Sequence, residues 1–155
     1  MILIHGECGS GKSAALRALE SAPPAGVRAV YVPVPTLDFG DLARWCVERL
    51  RLGSEGPPAV ALREHARRAQ IALLIDDADL LPLETALAIR QLERDAAGNL
   101  AVVAACESEA RETAAIVALG EVSRALAMTS DDSAAVAAQA SSSGQSNARV
   151  PRMTG

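Results

Sequence analysis

The chain has 155 residues, half of them apolar, a net charge of −4, and one each of Trp, Tyr and Phe. That is enough apolar material for one domain with its own core. Three aromatics do not make a base-stacking surface, however, and the charge leaves no basic footprint, so nucleic-acid binding is possible in principle but unsupported. No run approaches the roughly 18 apolar residues of a membrane span. Cys8, Cys46 and Cys106 fit neither a zinc nor a CxxC pattern. The expectation is a cytoplasmic protein with reduced thiols, any attachment at the inner face of the membrane being peripheral and through a partner.

In chain order, Ile2 to His5 is a short apolar run ending in a Gly-rich turn, the pattern of a buried parallel strand. A helix is predicted from Lys12 to about Ser21, with Leu16 and Leu19 inward and Pro23-Pro24 as its stop. The β-branched stretch Val27 to Val34 predicts a second strand, and Pro33 puts its far end at an edge. Thr36 or Asp38 can cap a helix running to about Leu52, in which Leu42, Trp45, Cys46 and Leu50 form one stripe and Gly53 is the terminator. Ala59 to Gln70 predicts a third helix, with Pro58 suited to its first turn.

Ile71 to Ile75 reads as a buried strand that ends in Asp76-Asp77. Pro82 opens a helix to about Ala97, Leu100 to Ala105 is a fourth strand, Glu107 to Leu119 suits a helix, and Ala125 to Met128 suits a short fifth strand. From Ser130 the composition shifts to Ser, Ala, Gly, Gln and Asn, which predicts a disordered tail over 130–155 after a core of 1–129. Strands alternating with helices imply a three-layer α/β/α sandwich on a mainly parallel sheet. Ligands of such sheets bind at the strands' C-terminal ends.

Two motifs fall at those ends. Gly6-Glu7-Cys8-Gly9-Ser10-Gly11-Lys12-Ser13 satisfies G-x-x-x-x-G-K-[S/T] in full. Glycines let backbone N–H groups approach phosphate oxygens, and the following helix adds the positive end of its dipole. Gly6 to Ser13 together with Ala14 is therefore the predicted phosphate cradle for ATP, with Lys12 bridging the β- and γ-phosphates and the Ser13 hydroxyl directed to Mg²⁺. The alternative is a Gly-rich strand-to-helix turn that holds nothing. Lys12 is the only lysine in a chain whose other basic side chains, apart from two histidines, are all arginine. A compact ammonium is what a phosphate loop needs. Cys8 is either a thiol made reactive by the helix N-terminus or a tolerated small residue, and the second reading is favoured.

The second motif is the acidic strand end. Asp76 is the candidate Mg²⁺ residue, acting through the ion's water shell, and Asp77 the candidate base that polarises the attacking water. Its side chain is one methylene shorter than a glutamate, a difference in reach of about 1.5 Å, which predicts slow hydrolysis. The alternative for both is helix capping.

With both motifs placed, the chain resembles AAA+ ATPases, specifically the general secretion pathway protein A group and related transposition ATPases. The resemblance extends through Val30-Tyr31-Val32-Pro33-Val34-Pro35-Thr36-Leu37 and Leu73-Leu74-Ile75-Asp76-Asp77-Ala78-Asp79-Leu80-Leu81-Pro82, and covers about residues 2 to 128. It implies an AAA+ fold with the lid domain reduced or absent, ATP hydrolysis with Mg²⁺, and roles for Lys12, Ser13, Asp76 and Asp77 as above. It also implies coupling to a protein or DNA-associated partner, or to further copies of the chain, in a secretion, pilus-assembly or transposition setting. The family's polar sensor at the end of the fourth strand falls near Cys106, a poor hydrogen-bonding substitute. Arg124, Arg90, Arg94 and Arg111 are candidates to reach across a subunit interface, although each also reads as a solvated arginine. The competing function is a nucleotide-binding switch that does not hydrolyse.

Overall fold

The computed structural model describes residues 1–33, 36–53 and 56–129. The expected tail, and Val34 at the end of the expected second strand, lie outside the described residues. Five parallel strands, β1 (Ile2–Gly6), β2 (Val27–Val32), β3 (Gln70–Ile75), β4 (Leu100–Glu107) and β5 (Arg124–Met128), form one sheet in the order β2-β3-β4-β1-β5. The connecting helices are α1 (Lys12–Ser21), α2 (Phe39–Arg49), α3 (Pro58–Ala66), α4 (Leu83–Asp95) and α5 (Ala114–Leu119).

Side-chain alternation sorts each strand between two layers. Ile4, Tyr31, Ala72, Leu74, Val103 and Ala105 pack with Leu16 of α1 on one face. Leu3, Val30, Val32, Leu73, Ile75, Val102, Ala104 and Cys106 pack with Leu42 and Cys46 of α2, Leu62 of α3, Ile89 of α4, and Ile116 and Leu119 of α5 on the other. Burial on both faces is why Ile71 to Ile75 is apolar without interruption. The architecture is a three-layer α/β/α sandwich on a parallel sheet, as the alternation of elements implies.

β2 is an edge strand, as Pro33 predicts. Its open backbone groups are covered: the Tyr31 N–H donates to Glu20 Oε1 (3.1 Å), and the Tyr31 carbonyl accepts from Trp45 Nε1 (3.0 Å). Arg49 pairs with the same Glu20 oxygen at 2.8 Å, so α1 and α2 are tied together over an edge that would otherwise be free to pair with another strand.

Three element boundaries differ from the sequence reading. α2 ends at Arg49, not near Gly53. Arg51 takes the left-handed conformation (φ 50°), with Leu52 N–H on Val47 O and Arg51 N–H on Glu48 O closing the last turn. α3 stops at Ala66, because Gln70 is already paired with Val27 in the sheet. Glu107 to Leu119 is not one helix. β4 continues through Glu107 because that residue registers against Gly6 of β1, then a 3₁₀ turn (Ser108–Ala110) precedes α5. Sheet pairing overrides the local helical preference there. By contrast, Asp38 caps α2 as predicted, accepting from Asp41 N–H at 2.9 Å.

Candidate functional site

β1 delivers the chain into a turn that folds back on itself. A Cβ on Gly6 would stand 2.5 Å from both the Met128 carbonyl oxygen and Ser10 Oγ, so only glycine fits between β5 and the loop. Gly11 takes φ +90° immediately before α1, a left-handed value that suits glycine and turns the chain into the helix. Lys12 is buried, at 7 % exposure, and donates to the carbonyls of Gly6 (3.0 Å) and Glu7 (2.8 Å). The ammonium is thus held inside the loop by neutral acceptors, with no carboxylate among its hydrogen-bond partners in the described residues. Ser10 is also buried, and its hydroxyl has no hydrogen-bond partner among the described residues.

A cleft of about 390 Å³ opens beside the loop, lined by Cys8, Gly9, Gly11, Lys12, Ser13, Ala14, Asp77 and Glu107. A second cavity of about 340 Å³ lies on the β5 side, lined by Glu7, Cys8, Ser10, Ser108, Ala127, Met128 and Thr129. The loop therefore has space on both flanks, with its basic group at the centre.

Asp76 directly follows β3 and is buried, at 5 % exposure. Its Oδ2 accepts from the Tyr31 hydroxyl at 2.7 Å and its Oδ1 from the Asp77 N–H at 3.2 Å. Burial, then the bond to Asp76, pushes the Tyr31 hydroxyl up to about 12, so it remains a donor. Asp77 is exposed and left-handed (φ 44°), a conformation that swings its side chain out of the strand direction and into the cleft. Partial burial, and then the neighbouring Asp76 and Asp79 carboxylates, raise its pKa above the ordinary aspartate value, while Lys12 opposes them.

The end of β4 differs from the sequence reading. Cys106 is fully buried and faces the layer of α2 to α5, and burial foremost pushes its thiol up to about 11. By the same alternation the next residue, Glu107, is turned to the α1 side and lines the cleft. The residue that meets the cleft from β4 is therefore a carboxylate, not a thiol. Counting strand parity from Val103 would have found it. Tyr31 was likewise missed. It is 45 residues from Asp76, and only the β2–β3 register (Tyr31 against Leu74) brings the two together.

The other named residues fall elsewhere. His5 Nδ1 lies 3.4 Å from Ser108 Oγ, packed at the strand end. Arg90 donates to the Leu119 carbonyl at 3.2 Å and packs over Gly120, so it caps α5 and is not a solvated arginine. Arg111 donates to Ser108 O. Arg124 opens β5 opposite Ile2, at the end of the sheet away from the phosphate loop.

The donor set suits magnesium coordinated jointly with a phosphate. Ser13 and Asp76 are hard oxygen donors, and among the described residues no three His, Cys, Asp or Glu side chains gather into a metal site of their own.

A Gly-rich loop running from a central parallel strand into a helix, beside an acidic strand end, defines a P-loop nucleotide-binding protein of the AAA+ class. Residues 1–113 match the AAA domain family, and the chain belongs to it. Among solved structures it is similar to the ORC1 protein of Aeropyrum pernix in complex with DNA (21 % identity, TM-score 0.56, 83 % of this chain and 39 % of that one). It is also similar to PCH-2 of C. elegans (16 %, TM-score 0.51, 83 % and 35 %). A third similar structure is Drosophila ORC bound to AT-rich DNA and Cdc6 (11 %, TM-score 0.50, 95 % and 58 %). At these identities the likeness is one of fold, and the chain spans less than two thirds of each. No curated protein matches it in sequence. Among the described residues no helix is long and apolar enough to cross a membrane.

Proposed function

We propose that the chain binds ATP with Mg²⁺ and hydrolyses it to ADP and phosphate, coupling nucleotide state to a partner. The observation that carries this reading is the single cleft that Lys12, Ser13 and Asp77 line together, with the buried Asp76 next to Asp77 in the chain, directly after β3. Residues 1–129 are the nucleotide-handling unit and 130–155 a tail.

In this reading the N–H groups of Gly9 to Ala14 receive the phosphates, and Lys12 exchanges its bonds to the Gly6 and Glu7 carbonyls for bonds to the β- and γ-phosphate oxygens. Ser13 and Asp76 would hold the metal, which would supply positive charge against the negative charge developing on the phosphate. Asp77 orients a water on the γ-phosphate and accepts its proton. Glu107 faces the same space from β4, where it can hold the water from a second side. The nucleoside end lies in the cavity on the β5 side, where the Ser10 hydroxyl is in need of a partner.

The partner is a protein, a further copy of the chain or a DNA-associated assembly. A secretion, pilus-assembly or transposition setting rests on the resemblance of the segments around Tyr31 and Asp76, and a cytoplasmic location on the thiol content. The competing reading, a switch that binds but does not turn over, is favoured by one feature: Asp77 is both short and held left-handed. ATP binding and phosphate release by the purified protein with Mg²⁺, beside Asp77→Ala, separate the two. Turnover lost in the variant with binding retained supports hydrolysis. Binding without turnover in the wild type establishes the switch.

A further inference from the structure

Asp76 has both carboxylate oxygens engaged: Oδ1 by the Asp77 N–H and Oδ2 by the Tyr31 hydroxyl. The two bonds fix the plane of the carboxylate and leave one lone-pair direction on each oxygen for other donors. Tyr31 is itself held on three sides. The Arg17 guanidinium of α1 lies 4.7 Å from its ring centroid, Glu20 of α1 accepts its N–H, and Trp45 of α2 donates to its carbonyl. α1 is the helix that opens with Lys12 and Ser13. A continuous chain of contacts, Arg17 to Tyr31 to Asp76, thus joins the body of the phosphate-loop helix to the acidic strand end. A phenylalanine would fill the same space between β2 and α1. The hydroxyl is the one atom of this side chain that packing does not require.

We propose that Tyr31 is a positioning residue for magnesium, its hydroxyl fixing the orientation of the Asp76 carboxylate that, with Ser13, would hold the ion. This rests on the reading of Ser13 and Asp76 as the magnesium pair. Partners that orient a metal ligand from behind commonly govern metal affinity as strongly as a weak ligand does. Through Arg17 and Glu20 the same tyrosine keeps Asp76 in register with α1, so that the two halves of the site move as one.

The test is Tyr31→Phe in the full chain, with ATP affinity titrated against MgCl₂ and measured again in EDTA. The Mg²⁺ concentration giving half of the magnesium-dependent gain in affinity should rise about tenfold, with the EDTA value unchanged. Adding Tyr31→Phe to Asp76→Asn should bring no further rise, because the two act through one contact. Arg17→Met, which keeps the hydroxyl and loosens the ring, should shift the midpoint in the same direction by a smaller factor. It also carries the test if Tyr31→Phe folds poorly, as reported by emission of Trp45, the only tryptophan and a direct neighbour of Tyr31. An unchanged Mg²⁺ midpoint in both variants, or an equal loss in EDTA, overturns the proposal. A wild type that gains no ATP affinity from Mg²⁺ overturns the magnesium reading beneath it. A wild-type gain that Tyr31→Phe retains overturns only the role of the tyrosine.

Discussion

Lys12→Arg tests whether the loop needs an ammonium and not merely a positive charge. Lys12 Nζ reaches two carbonyls of its own loop at 3.0 and 2.8 Å from a buried position. A point-like donor can meet both and turn to a phosphate. A planar guanidinium is wider and fixes its donors in a fork, so it cannot enter this space without opening the loop. A hydrogen bond to a charged group contributes about 1.5–3 kcal/mol. Two such bonds, to the β- and γ-phosphates, give about 3–6 kcal/mol, and releasing the Gly6 and Glu7 carbonyls offsets about half of it, which leaves a net of about 2–3 kcal/mol. Both Lys12→Arg and Lys12→Ala should therefore bind ATP about 30- to 150-fold more weakly. Calorimetric titration with Mg²⁺ measures this, with circular dichroism as the control for folding. The chain offers an independent assay, because Lys12 is its only lysine. An amine-acylating reagent can mark that side chain and the N-terminus alone, and ATP should protect the first and not the second. Lys12→Arg binding within twofold of wild type, or acylation of Lys12 that ATP leaves unaltered, would refute the reasoning.

Glu107→Gln should reduce turnover while leaving ATP affinity within about threefold, since the side chain faces the cleft without supporting the loop; loss of binding instead would show in the same titration. Leu16→Ala removes a fully buried side chain between α1 and the sheet and should destabilise the fold by about 2–5 kcal/mol, read from urea unfolding. The two histidines are predicted to weaken the fold toward acid. Burial first, then Arg111 for His5 and Arg28 for His65, lowers both below the ordinary value of 6.5. Their neutral forms are thus the ones the fold accommodates. The associated stability is present above the unfolded value and is lost as pH falls through the lowered folded values. Melting temperature should drop between pH 7.5 and 5.5, and His5→Gln with His65→Gln should flatten that part of the curve.

The strand–turn–helix that carries Gly6 to Ser13 was legible because everything it needs is local: a strand, five intervening residues, a helix. Asp38 as a cap and Pro33 at an edge were legible for the same reason, each being a property of a few adjacent atoms. The end of β4 was not. Residues Glu107 to Ala110 favour a helix when read alone, but pairing of Glu107 with Gly6 extends the strand and so decides which neighbour, Cys106 or Glu107, meets the cleft. Arg90 looked like an exposed helix-face arginine, and only the packing of α4 on α5 turns it into a cap at Gly120.

What the sequence by itself determined is the class of fold and the strand–turn–helix at the start of α1, since strand–helix alternation and the G-x-x-x-x-G-K-S spacing act over distances the chain spans directly. What only the tertiary structure decided is the company those groups keep. Tyr31 against Asp76, Glu107 beside Asp77 and Met128 against Gly6 are all set by which strands lie side by side and in what register. That order, β2-β3-β4-β1-β5, comes from burying both faces of the sheet at once, a condition on the whole chain that no short stretch of it contains.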